Sequence, residues 1–102
     1  MKGVGVNMLR LSPILISVIL FSGAAYAQDA SQLAQSKGCM MCHDVSKAKM
    51  GPSFSTIAAK YKGQADAAAK LAGELKNGTG HQKISASDAE LQQLVAYVLA
   101  TP

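Results

Sequence analysis

Apolar positions along this chain recur three and four residues apart, and no stretch alternates in the manner of a half-buried strand. The clearest case is SDAELQQLVAYVLA (87–100), where Leu91, Leu94, Val95, Val98 and Leu99 share one face. Ser87 and Glu90 open it as a capping box. In SFSTIAAKY (53–61), Phe54, Ile57, Ala58 and Tyr61 keep the same spacing behind Ser53. DAAAKLAGELKNG (66–78) starts at an Asp cap, is rich in alanine and stops at Asn77-Gly78. DASQLAQSKG (29–38) reads as a short helix with Leu33 and Ala34 inward and Gly38 ending it. Residues 39–52 and 78–86 remain as loops. The pattern predicts an all-α domain of four short helices, with loops long enough that something must hold them.

The first stretch follows a different rule. Lys2 and Arg10 precede an apolar run from Leu11 to Phe21, and small residues then lead to Ala25-Tyr26-Ala27. A positive start, a short apolar centre and an A-x-A site describe a secretory signal peptide. The run is well short of the ~20 residues that cross a bilayer; the alternative is an uncleaved anchor. The expected organisation is a signal peptide over 1–27, cleaved after Ala27, and one domain over 28–102. Removing Lys2 and Arg10 from the ten cations leaves eight lysines against six acids, a formal +2. That is too little to imply a nucleic-acid partner, and no basic stripe with interleaved aromatics appears.

A domain of this size is near the limit for a self-sufficient core. It offers Phe54 with Tyr61 and Tyr97, no tryptophan, and many alanines. A disulfide, a metal or a large cofactor normally makes up such a shortfall. The segment SKGCMMCHDV (36–45) indicates which. C-x-x-C-H is the attachment sequence of c-type haem. Two thiols, Cys39 and Cys42, add across the porphyrin vinyl groups, and the two-residue spacer brings both sulfurs to one ring edge. His43, next in the chain, then lies under the iron as proximal ligand. Other readings are poorer. A Cys39–Cys42 disulfide closes a tiny loop and stabilises little. A thioredoxin-type pair needs a βαβ context that is absent. Zinc would need two further ligands, with only His43 and His81 at hand.

With these motifs the chain resembles the small bacterial class I cytochromes c. KGCMMCH, then KMGPSFSTIAAKYKGQADAAAKLAGELKNG, then SDAELQQLVAYVLA carry the likeness, which covers nearly all of the domain. The resemblance implies a cytochrome c fold around one covalent haem c, in a periplasmic electron carrier without enzymatic activity or a small-molecule substrate. It implies that the carbonyl of Pro52 accepts a hydrogen bond from the far ring nitrogen of His43, which would fix the tautomer and strengthen the donor. It implies that helix 29–38 crosses helix 87–100 near Tyr97, and that Met50 is a core residue.

The likeness breaks at the sixth ligand. The family uses a methionine on a loop before the last helix, and this chain has none after Met50. Counted back from Ser87, His81 falls in that place, with Gly78 and Gly80 giving the backbone freedom to approach a porphyrin. The plainer alternative is a solvated loop histidine. Met40 and Met41 sit within the attachment turn, and Lys83 would have to lose its proton to bind iron. A second imidazole in place of a thioether should lower the reduction potential. The missing tryptophan leaves the propionate surroundings open.

The expectation is therefore a bis-histidine electron carrier with metal ligands His43 and His81, meeting redox partner proteins. Lysines 47, 49, 60, 62 and 83 are available to face acidic partners, or simply to keep the protein soluble. Two alternatives stay open: a haem-based binder of NO, CO or O2 from which His81 is absent or easily leaves, and a small electron-transfer subunit of a periplasmic oxidoreductase.

Overall fold

The computed structural model describes Gly3 and residues 24–102. The signal-peptide assignment falls largely outside these residues. The elements are helix α1 (Ala24–Ser36), a 3-10 turn (Cys39–Met41), and helices α2 (Phe54–Tyr61), α3 (Ala67–Asn77) and α4 (Asp88–Leu99), with no strand among the described residues.

Helix α4 is the hub, for α1, α2 and α3 all pack on it. Its apolar face supplies Leu91, Leu94 and Val95, all buried, while Val98 and Leu99 are half-buried. From α1 the buried positions are Ala30 and Ala34, one helical turn apart, with Leu33 only half-buried beside them. Two alanines let the α1 backbone come close to its neighbours. Phe54, Ala67 and Ile84 complete the buried apolar set. Three of these eight residues are alanine, too little volume to hold four helices unaided.

Local chemistry sets the helix ends. Ser53 caps α2, its Oγ accepting the Thr56 N–H at 3.1 Å. Ser87 and Glu90 form both halves of the capping box on α4, at 3.2 Å and 3.0 Å. Asp66 does stand at the start of α3, but its backbone is helical and its side chain caps nothing, so the expected Asp cap is absent. Helix α1 begins at Ala24 rather than at Asp29, since Ala24 to Gln28 contain no helix breaker. At the far end of α3, Gly78 takes a φ of 71° and its N–H bonds the Glu74 carbonyl, a left-handed cap that suits glycine.

Ser87→Ala should lower stability by about 1 kcal/mol, read as a shift in the urea midpoint with the helix content unchanged. Bonds from Ser87 and the charge of Lys37 hold the Glu90 carboxyl below its ordinary value of 4.5. Its contribution is thus complete above that value and is lost as pH falls through the lower folded-state pKa. The stability difference between the wild type and Glu90→Gln should vanish over that acid range.

Candidate functional site

The site starts from a reversal of the chain. Gly38 has a φ of 81°, a conformation that a residue with a Cβ seldom adopts. It allows Cys39–Met41 to wind into the 3-10 turn, which the Met41 N–H closes onto the Gly38 carbonyl at 3.2 Å. The N–H groups of Cys42 and His43 both donate to the Cys39 carbonyl, at 3.2 and 3.0 Å. Both thiols and the imidazole are thereby presented from one turn. Cys39 and Cys42 are half-buried and not bonded to each other. Burial pushes the Cys39 thiol above its ordinary value, only partly opposed by a backbone hydrogen bond.

The His43 ring is fixed by three neighbours. Its Nδ1 lies 2.6 Å from the Pro52 carbonyl. A carbonyl only accepts, so Nδ1 carries the proton and Nε2 keeps a free lone pair. The Phe54 ring stands 5.5 Å away, and Phe54 meets Tyr97 of α4 edge-on at 5.9 Å. The third neighbour is Gly51. A Cβ on it would sit 2.5 Å from Cε1 and 2.9 Å from Nδ1 of His43. Sequence reasoning gave the Gly-Pro pair its role through Pro52 alone, and the glycine is the part it missed.

Residues 43–52 are irregular but closed. The Gly51 N–H donates to the Cys42 carbonyl at 2.8 Å, and Lys49 Nζ reaches the Met40 carbonyl at 2.8 Å. Asp44 Oδ1 accepts from the Ser46 and Lys47 N–H groups at 3.0 Å each. These bonds, with the charges of Lys47 and Lys49, hold its carboxyl below the usual carboxylate range. Met50 is not in the core: it is 86% exposed, and Met41 is 77% exposed. Met50 instead lines the cavity described below.

His81 comes from the loop between α3 and α4. Its ring lies 6.0 Å from that of His43, centre to centre, and the two planes are 7° from parallel. Its Nδ1 stands 2.7 Å from the Gln82 carbonyl, so its Nε2 too has a free lone pair. Both imidazoles, both cysteines and Pro52 line one cavity of about 750 Å³. The rest of its wall is mainly apolar, with Ile57, Leu71, Leu75, Ile84, Leu94 and Val98. A smaller depression of about 440 Å³ between α3 and α4 carries no part of this chemistry. Among the described residues no three His, Cys, Asp or Glu side chains gather as a metal site. Two imidazoles, two thiols and an apolar slot suit a metal that brings its own equatorial nitrogens, as porphyrin iron does.

An all-α shell around a cavity edged by C-x-x-C-H defines a covalent haem protein. The Cytochrome c family model matches residues 27–102. Cytochrome c-552 of Hydrogenobacter thermophilus is 36% identical over 94 residues, 85% of this chain and 94% of that protein. Cytochrome c-551 of Pseudomonas aeruginosa is 35% identical over 99 residues, 88% of this chain and 93% of that one. Among solved structures, the class 1 cytochrome MtoD from Sideroxydans lithotrophicus has a TM-score of 0.68 at 35% identity, covering 72% of this chain and 94% of its own. Wild-type Nitrosomonas europaea cytochrome c552 has a TM-score of 0.60 at 34% identity, over 71% and 99%. The chain belongs to the cytochrome c family, as a small class I monohaem member. It carries one haem c, attached covalently through Cys39 and Cys42.

Gly51→Ala should force the His43 ring from its place. The added methyl has no room there, and such overpacking costs about 1–3 kcal/mol. The expected result is a lower thermal midpoint together with a disturbed Soret band in the haem-loaded protein. An unaltered spectrum would show that the ring can accommodate the methyl without any change at the iron.

Proposed function

We propose that this haem c electron carrier works in the periplasm after export, with its iron held by His43 on one side and His81 on the other. The observation that carries this reading is the pairing of the two imidazoles, 6.0 Å apart and nearly parallel. An ion held by both imidazoles at the usual bond length of about 2 Å would place the ring centres roughly 6 Å apart. Hydrogen bonds from each Nδ1 to a main-chain carbonyl support it, because they leave both Nε2 atoms free to donate and raise their basicity.

Bound here, a haem supplies a one-electron iron couple. The chain's own residues do the remainder. Cys39 and Cys42 fix one porphyrin edge, Pro52 and Gly51 set the His43 plane, and the apolar wall excludes water and lowers the local dielectric. With both histidines at the iron, no general base of the usual kind is left, and the role is transfer rather than catalysis. Lysines 47, 49, 60, 62 and 83 are exposed and suit acidic redox partners. The leader with its A-x-A site favours export and cleavage after Ala27. No helix among the described residues is long and apolar enough to cross a membrane.

One feature favours a gas-binding protein instead. The segment bearing His81 contains two left-handed glycines, Gly78 and Gly80. Carbon monoxide added to the reduced protein separates the two readings: a rapid, complete spectral change supports the binder, and little or slow change supports the carrier. His81→Ala should turn a low-spin ferric spectrum high-spin, and an indifferent spectrum would remove His81 from the iron. His81→Met should raise the reduction potential, measured by redox titration, since a thioether favours the reduced iron.

A further inference from the structure

The segment carrying His81 is anchored at both ends. It leaves α3 at Gly78, where the N–H groups of Gly78 and Thr79 donate to the Glu74 carbonyl at 2.9 and 3.1 Å. It rejoins the body at Ile84, which is buried and whose N–H donates to the Leu75 carbonyl at 2.9 Å. Between these anchors Gly80, His81 and Gln82 line the cavity, and Gly80 has a φ of 68°.

The next anchor comes from far along the chain. Lys37 Nζ donates to the Ser85 carbonyl at 3.1 Å, across 48 positions of sequence. The same ammonium lies 3.4 Å from Glu90 Oε2, and its side chain is only 26% exposed. Glu90 Oε1 meanwhile accepts the Ser87 N–H in the capping box. Glu90 thus holds the lysine in place while the lysine holds the loop. Lys37 also lies two residues before Cys39, and its own N–H is tied to the Leu33 carbonyl at 2.9 Å. One side chain therefore links the turn bearing the thiols to the end of the His81 segment.

We propose that Lys37 is the positioning residue of this second side: its ammonium clasps the Ser85 carbonyl, keeping the segment from Thr79 to Ser85 closed and His81 within the cavity. The proposal rests on His81 being the second axial ligand. Opening the segment would expose a charge-assisted bond to water, and such bonds are stronger than neutral ones. Partial exposure reduces the effect to that of an ordinary hydrogen bond.

Cyanide uptake by the ferric, haem-loaded protein tests it. At saturating cyanide the rate is limited by departure of His81 and so reports opening of the segment. Lys37→Met keeps the aliphatic stem and removes the donor, and it should raise this limiting rate about five- to tenfold. Lys37→Arg should return it toward the wild-type value. Lys76→Met breaks a different ion pair, Lys76–Asp88 at 2.8 Å, and should leave the rate unchanged even where it lowers the thermal midpoint. Should Lys37→Met not fold, Lys37→Leu, which also lacks a donor, carries the same expectation. Equal rates in the wild type and the Lys37 variant, or an acceleration matched by Lys76→Met, would overturn the clasp. If the ferric wild type takes cyanide with no limiting step and His81→Ala alters nothing, the bis-histidine assignment has failed, and the clasp with it.

Discussion

Four short helices surround a cavity of about 750 Å³ with a buried apolar set in which alanine is prominent. That imbalance governs the molecule. A helical shell of this size cannot close on itself and leave so large an apolar slot at its centre. The haem that Cys39 and Cys42 attach is therefore as much core as cofactor. Each helix packs on α4, and α4 in turn gives Leu94, Val95 and Val98 to the cavity wall. Fold and function share one set of contacts here, so loss of the prosthetic group removes the centre of the structure as well as its redox chemistry.

The two sides of the slot are built by different means. Around His43 the chain is dense, with a turn closed by successive hydrogen bonds, a glycine laid across the ring and a phenylalanine behind it. Around His81 it is spare. A short segment depends on Ile84, on the α3 cap and on one lysine from the start of the attachment turn. The dense side belongs to the fold that this chain shares with other small class I cytochromes c. On the spare side the chain has no methionine after Met50, and on the reading proposed above a change of a few residues there would alter the iron's surroundings without disturbing the helices.

Helix positions could be read from the sequence because each helix reports itself through its neighbours in the chain. Ser53 and Ser87 cap the helices that begin one residue later, and the face of Leu91, Leu94 and Val95 repeats at helical spacing. The three-residue C-x-x-C spacing with its adjacent histidine is equally local. The features that escaped depend on groups brought together by folding. Gly51 matters because the ring of His43 turns back over it, and only the packed arrangement reveals that. The contact of Lys37 with Ser85 spans 48 residues and uses a main-chain acceptor that leaves no trace in residue type. Asp66 sits where a capping residue belongs, but its helical backbone turns the carboxylate away from the N–H groups it would need. Met50 obeys a third logic. The family likeness implied burial, whereas the residue is 86% exposed and lines the cavity.

Both histidines donate their Nδ1 N–H to peptide carbonyls, those of Pro52 and Gln82, rather than to side chains. A peptide oxygen survives nearly every point mutation. On the bis-histidine reading proposed above, the donor strength of both imidazoles thereby rests on main-chain groups that sequence drift seldom touches. On that reading, redox behaviour is left to be adjusted by the apolar lining and its hydration more than by the hydrogen-bond partners of the two rings.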